Sequence, residues 1–170
     1  MKSFLGVIVL FFCFSGQVKA VEKSFESAKE TFFDIGRVGF YYANKMSGII
    51  FIEKANLEKV NFEEIEKKWQ EFVQGKINVE FTDENLYDHR HQPMTALSFP
   101  DQRLTRIHRP SWNTLNNNIR LRLRLIFHEV LRQLEVENPL YNDENFRISQ
   151  RMTIVTYGPV SKALEQKINP

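Results

Sequence analysis

The chain has 170 residues and a formal net charge of +2. A chain of this length can bury the core of one domain and leaves little length for a second, so we expect a single domain. A specific nucleic-acid binder is normally basic overall, and this near-neutral balance argues against that class of partner.

The first twenty residues have the organisation of a secretory signal peptide. A short basic start, Met1–Ser3, precedes an apolar run from Phe4 to Phe14, and Val18–Ala20 places small or aliphatic residues at the usual cleavage offsets. The run is shorter than the roughly 20 residues that span a membrane. We therefore expect cleavage of residues 1–20 near Ala20 and a secreted or periplasmic domain, 21–170, without a transmembrane segment.

The only cysteine, Cys13, lies inside this segment. Cleavage would also remove Lys2 and Lys19, so that 21 basic residues would balance 21 acidic ones. A mature domain without cysteine is disulfide-free and must be stabilised by packing alone. Lipid attachment at Cys13 is the alternative, and Phe11 and Phe12 argue against it because that processing requires small residues before the cysteine.

Charge is unevenly distributed along the chain. Residues 53–84 contain nine acids and five lysines, whereas residues 103–132 contain seven arginines and one acid, Glu129. Arginine binds oxyanions through paired hydrogen bonds, so the basic block could attract phosphate or an anionic envelope polymer. The interpretation that we favour is pairing between the two blocks within the domain.

Two helices are predicted in the first half of the mature chain. Ser27–Glu30 has the spacing of a capping box, which predicts a short helix that stops at Gly36 and Gly39. Asn61 is a good N-cap for a second helix over 62–74, in which apolar residues recur at helical spacing.

Runs rich in aromatic and β-branched residues, or alternating in polarity, predict the strands. These are 40–42 and 48–52, paired as a hairpin, then 76–81, a short strand at 96–99 within the loop 86–102, and 103–108.

Residues 119–136 have two readings. Ile119–Leu125 alternates polar and apolar residues as a strand would, but the longer stretch carries an apolar stripe of helical period and predicts a long helix. A further element over 146–155 should end at Gly158-Pro159. These elements predict an α+β fold, with a small, largely antiparallel sheet packed against two main helices, 62–74 and 119–136.

The helix 119–136 carries His128-Glu129-Val130-Leu131-Arg132 and follows what we predict to be an edge strand, 103–108, and a connection with a tryptophan. Over roughly residues 76–150 this arrangement resembles the minimal, gluzincin-like zincin metallopeptidases. In their H-E-x-x-H signature two histidines one turn apart bind zinc, and the glutamate polarises a metal-bound water. The resemblance implies His128 as a zinc ligand and Glu129 as the general base.

The chain has HEVLR in place of HExxH, because Arg132 occupies the position of the second ligand. A guanidinium stays protonated and has no lone pair to donate to a metal. We therefore expect neither ordinary zinc hydrolysis nor a bound cofactor. Alternatively, His128 is a hydrogen-bonded core histidine, and Glu129 pairs with Arg132 or Arg122.

A zinc site of another kind is a further hypothesis. His89 and His91 are two residues apart, so an extended strand would direct both imidazoles at one metal, and His128 would add a third nitrogen. In a loop over Asp88–Pro93 the same histidines would instead be solvated. His108 lies between two arginines, whose charges disfavour a cation.

We predict an exported zincin-like pseudoenzyme that serves as a non-catalytic binding or scaffold protein for a peptide, a protein or an anionic envelope polymer. The alternative is an unrelated periplasmic interaction module that uses its aromatic and arginine-rich surfaces. If the chain is an enzyme, a metal-dependent peptidase is the class indicated.

Overall fold

A computed structural model of the chain describes residues 27–47, 61–116, 118–136 and 147–168. The predicted signal peptide and the predicted strand 48–52 lie outside these residues. No helix in the described ranges is long and apolar enough to cross a membrane.

The described residues form five α-helices, a short 3-10 helix (Pro100–Gln102) and five strands. The helices are α1 (27–45), α2 (Phe62–Val73), α3 (Arg109–Thr114), α4 (Ile119–Gln133) and α5 (Arg147–Ile168). The strands are β1 (Asn78–Thr82), β2 (Leu86–Tyr87), β3 (Pro93–Met94), β4 (Ala96–Phe99) and β5 (Leu104–His108).

The main sheet has three strands in the order β1-β5-β4. β5 is parallel to β1 and antiparallel to β4, and β2 and β3 form a separate antiparallel pair. The predicted α+β class is confirmed, and the three-stranded sheet is mixed. The prediction that 103–108 is an edge strand is wrong, because β5 is paired on both of its edges and is the middle strand of the sheet. Its Thr105 and Ile107 are fully buried, as is typical of a central strand.

α1 contradicts two sequence predictions. The helix does not stop at Gly36 and Gly39, and residues 40–42 belong to it instead of forming a strand. The glycines are contact points, since a Cβ at Gly36 would overlap the Trp69 ring and one at Gly39 would meet Leu123. The missing side chains let α1 approach its neighbours closely.

α2 begins and ends where the sequence indicates. The side chain of Asn61 accepts a hydrogen bond from the Glu63 backbone N–H at 3.0 Å, and Glu63 and Glu64 lie at the positive end of the helix. After the helix, Gly75 adopts a φ of +69°, a conformation that glycine reaches without strain.

α5 continues through Gly158-Pro159, where the sequence predicted its end. An interior proline removes one helical hydrogen bond and costs about 3 kcal/mol. Beyond it, however, Val160 and Leu164 are buried, and each such side chain contributes about 1.5–3 kcal/mol. Packing of the second half of α5 therefore offsets the local penalty.

The core lies where α1, α2 and α4 meet. Phe40 stacks on Trp69 with ring centroids 4.8 Å apart and meets Phe127 edge-on at 5.0 Å. Trp112 of α3, four residues after the end of β5, is completely buried and contacts the Phe81 ring. α5 packs along α4, so α4 is enclosed between other elements.

Candidate functional site

α4 positions the His128-Glu129 pair, as the sequence predicts. Asn118 begins the helix, with its side chain accepting a hydrogen bond from the Leu121 N–H at 3.0 Å. His128 is 7% exposed and Glu129 is 1% exposed, so both lie in the interior. Leu121, seven residues before His128 on the same line of the helix, is 42% exposed.

Glu129 is directed at the sheet. Its Oε2 accepts a hydrogen bond from Ser98 Oγ of β4 at 2.7 Å, and Ser98 is also paired with Thr105 Oγ1 of β5 at 2.8 Å. One turn further along α4, Gln133 donates to Thr105 Oγ1 at 3.2 Å and to the Leu104 carbonyl at 2.9 Å. These four side chains form a buried polar cluster that joins α4 to two strands.

His128 lies beside this cluster, with its Nε2 4.0 Å from Glu129 Oε1. The alternative partners predicted for Glu129 do not pair with it: neither Arg122 nor Arg132 forms an ion pair with Glu129 in the described part of the chain. The Glu129 carboxylate is instead hydrogen-bonded to the Ser98 hydroxyl of β4.

The two arginines lie elsewhere. Arg122 is 5% exposed, its guanidinium lies 4.5 Å from the centre of the Trp112 ring, and it donates to the Trp112 carbonyl at 3.2 Å. Burial lowers the pKa of Arg122. Arg132 is partly buried, and its Nη1 has no hydrogen-bond partner.

His89 and His91 are exposed on the turn between β2 and β3. Asp88 organises this turn, with its carboxylate accepting hydrogen bonds from the backbone N–H groups of Gln92 and Arg90, both at 2.8 Å. These bonds, led by that of Gln92, lower the pKa of Asp88.

The structure does not bring the three predicted metal-binding histidines together. Within the ranges that it describes, no three histidine, cysteine or acidic side chains form a group that could hold a metal ion. His89 and His91 belong to an exposed hairpin turn, and His128 belongs to the interior.

Part of the arginine block pairs with the acidic block, as the favoured interpretation predicts. Arg106 contacts Glu80 at 3.1 Å, and Arg109 donates from Nε to Asp83 at 2.7 Å and from Nη2 to the second carboxylate oxygen. The hydrogen bond from Arg109 lowers the pKa of Asp83.

Sequence reasoning missed Ser98, Thr105 and Gln133. The sequence held a signal for the first two, because residues two apart on a strand point to the same face. Ser98 shares a face of β4 with Ala96, and Thr105 shares a face of β5 with Ile107, so each hydroxyl lies on a buried face beside an apolar residue. A hydroxyl at such a position needs a buried partner. Only the fold reveals that this partner is Glu129.

Comparison with protein-family models, with curated proteins and with solved structures found no match to the chain. The zincin resemblance therefore depends on His128, Glu129 and the position of Arg132 in the sequence.

Proposed function

We propose that this protein is an exported small domain, similar to a minimal zincin metallopeptidase, that has lost zinc hydrolysis and acts as a binding or scaffold domain. The observation that carries the proposal is the position of Glu129. A general base must reach a metal-bound water. The Glu129 carboxylate is 1% exposed and hydrogen-bonded to Ser98 at 2.7 Å, so its place in the molecule favours a structural role.

Arg132 supports the same proposal. A second zinc ligand must stand one turn after His128, and this position carries a permanent positive charge without a lone pair. Repulsion between the guanidinium and a dication would weaken binding by the remaining imidazole.

Metal analysis tests the loss of zinc chemistry. We expect the chain, purified without a chelator or a histidine tag, to contain far less than one zinc per molecule, and His128→Ala to leave that content unchanged. Stoichiometric zinc that is lost on His128→Ala, or peptide cleavage that a chelator abolishes, would contradict the proposal and support an active metallohydrolase.

Restoring the signature tests the zincin ancestry. Arg132→His recreates H-E-x-x-H on α4, and we expect zinc affinity to rise at least tenfold, measured by calorimetry. Arg120→His is the matched control, because it adds the same imidazole two turns from His128 on an exposed position. Equal affinities for the two variants would remove the support for a zincin origin.

Export is tested separately. When the chain is expressed with residues 1–20 in a bacterium, we expect the mature protein to begin after Ala20 and to appear in the periplasm or the medium, as measured by N-terminal mass spectrometry and fractionation. An uncleaved chain in the cytoplasm would contradict this part of the proposal.

A surface formed by α4 and α5 favours the second candidate, an unrelated interaction module. Leu121, Ile154 and Tyr157 are 42%, 56% and 37% exposed, and the Arg120 guanidinium lies 6.0 Å from the centre of the Tyr157 ring. Exposed apolar side chains beside arginine are common at binding sites. Binding of polyphosphate that Arg120→Ala and added salt both weaken would favour this candidate; binding that both leave unchanged would contradict it.

A further inference from the structure

The carboxyl ends of β1 and β5 bring together side chains that are distant in the sequence. The two strands are parallel, with Thr82 opposite His108, so Asp83 follows β1 at the same edge of the sheet where His108 ends β5. Ser111 lies three residues further on, in α3. Ligand sites of sheets with parallel strands commonly lie at this edge.

Ser111 and His108 have the geometry of a nucleophile and its base. Ser111 Oγ lies 2.7 Å from His108 Nδ1, within the range in which an imidazole can take the hydroxyl proton. Both residues are partly buried, so the pair is neither sealed in the core nor fully solvated. Two other serines make a useful contrast: Ser98 and Ser161 contact carboxylates, Glu129 and Glu165.

Asp83 supplies the third group. Arg109 holds its carboxylate with two parallel hydrogen bonds, which fix its orientation. The bond from Arg109 lowers the pKa of Asp83, and the charge of a protonated His108 lowers it further. Asp83 thus places a negative charge next to the end of β5, because Thr82, the residue before it, is paired with His108.

This cluster lies across the sheet from the His128-Glu129 pair. Side chains alternate along a strand, so His108 shares a face with Arg106, and Thr105 points to the opposite face, where it meets Gln133 of α4. Arg106 is exposed and pairs with Glu80, so solvent reaches this face of the sheet beside His108, although Leu104 on the same face is buried.

We propose that Ser111 and His108 form a hydrolytic site for small, unhindered carboxylic esters. Ser111 Oγ attacks the carbonyl carbon while His108 Nδ1 takes the hydroxyl proton, and the proton passes to the departing alkoxide as the ester bond breaks. Water then attacks the acyl-serine with His108 as base, which releases the acid and restores the hydroxyl. Asp83 and Arg109 are positioning residues.

The site requires no metal and does not depend on the function proposed above. Esters are the class that fits, because an alkoxide is a better leaving group than the amide nitrogen of a peptide.

Acylation of the full chain by p-nitrophenyl acetate tests the proposal. We expect one acetyl group per chain on the peptide that contains Ser111, detected by mass spectrometry of acid-quenched samples. Ser111→Ala should abolish this label, and His108→Gln should slow acylation by about 10²–10⁴-fold. Ser161→Ala, which removes a serine that contacts only a carboxylate, should change nothing. A label that survives Ser111→Ala, or a rate that His108→Gln leaves unchanged, would overturn the proposal.

Two further variants separate chemistry from folding. In Ser111→Cys the introduced thiol should react with iodoacetamide at pH 7 at least tenfold faster than the thiol introduced by Ser161→Cys. Asp83→Asn should slow acylation, because the amide no longer offsets the positive charge that His108 gains as it takes the hydroxyl proton. Equal thiol rates would overturn the pairing of Ser111 with His108, and an unchanged acylation rate in Asp83→Asn would overturn the role of Asp83.

Discussion

At the scale of single residues, one hydrogen bond indicates a structural role for Glu129. Its position in HEVLR suggests a general base, but Ser98 holds the carboxylate in a buried cluster. Burying a polar group without a hydrogen-bond partner lowers the stability of the folded state, so each member of the cluster needs to keep its hydrogen bond. Glu129 and Ser98 are therefore expected to matter for stability.

Ser98→Ala should lower the free energy of unfolding by about 1–3 kcal/mol, because Glu129 Oε2 loses its donor in the interior. The measurement is the urea midpoint. Ser161→Ala is the control, since Ser161 bonds Glu165 at an exposed position and should stay within about 0.5 kcal/mol of the parent. Equal midpoints for the two variants would contradict the importance of the buried cluster.

Asp83 should titrate below the ordinary aspartate range, because Arg109 stabilises its charged form. A lowered pKa in the folded state stabilises the protein above the pKa of the unfolded chain, and this contribution is lost as the pH falls through the folded value. Carboxyl NMR should show the pKa of Asp83 returning toward its usual value in Arg109→Gln. An unchanged titration would show that the contact is absent in solution.

At the scale of elements, helices α1 and α5 show packing overriding local signals. Gly36, Gly39 and the Gly158-Pro159 pair are ordinary helix breakers, yet both helices continue through them. A glycine lowers helix stability by about 0.5–1 kcal/mol, whereas burying a large apolar side chain contributes about 1.5–3 kcal/mol. Phe40 and Val160, both buried, lie on the continued segments.

Gly36→Ala should destabilise the protein by about 1–3 kcal/mol, because the added methyl overlaps the Trp69 ring, although alanine favours helix. Gly158→Ala should stay within about 1 kcal/mol, since nothing crowds its Cβ and the gain in helix propensity opposes the restriction before proline. Thermal unfolding of both variants checks this. A stabilised Gly36→Ala would contradict the close contact between α1 and α2.

At the scale of the whole molecule, α4 is the element that the others enclose. It contacts β4 and α2, and α5 packs along it. Leu123, Ile126, Phe127, Val130 and Leu131 of α4 are all fully buried. The free energy of unfolding should therefore depend more on the buried side chains of α4 than on exposed side chains at the protein surface.

Leu131→Ala should cost about 2–5 kcal/mol of unfolding free energy, because it removes a fully buried side chain from the centre of the core. Leu121→Ala, on the same helix but 42% exposed, should cost under about 1 kcal/mol. Denaturant midpoints of the pair provide the test. Similar losses would mean that α4 does not occupy the centre of the fold.

The elements that the sequence predicted have strong local signals. α2 has a capping asparagine and a terminal glycine, β1 alternates in polarity, and α4 has an apolar stripe longer than any strand. The prediction of a strand at 40–42 was wrong because aromatic residues pack well on a buried surface of either a helix or a strand. The sequence does not show which of the two buries them.

In the candidate site, too, some features follow from the local sequence and others only from tertiary packing. The sequence by itself determined that His128 and Glu129 lie next to each other on a helix and that Arg132 follows one turn later, because helical spacing is a local property. Only the tertiary structure decided that Glu129 faces Ser98 and that Asp83 follows β1 at the edge of the sheet where the local His108–Ser111 pair lies. Glu129 and Asp83 each lie more than 20 residues from their partners Ser98 and Arg109, and such contacts are fixed by how strands and helices pack, which local sequence does not encode.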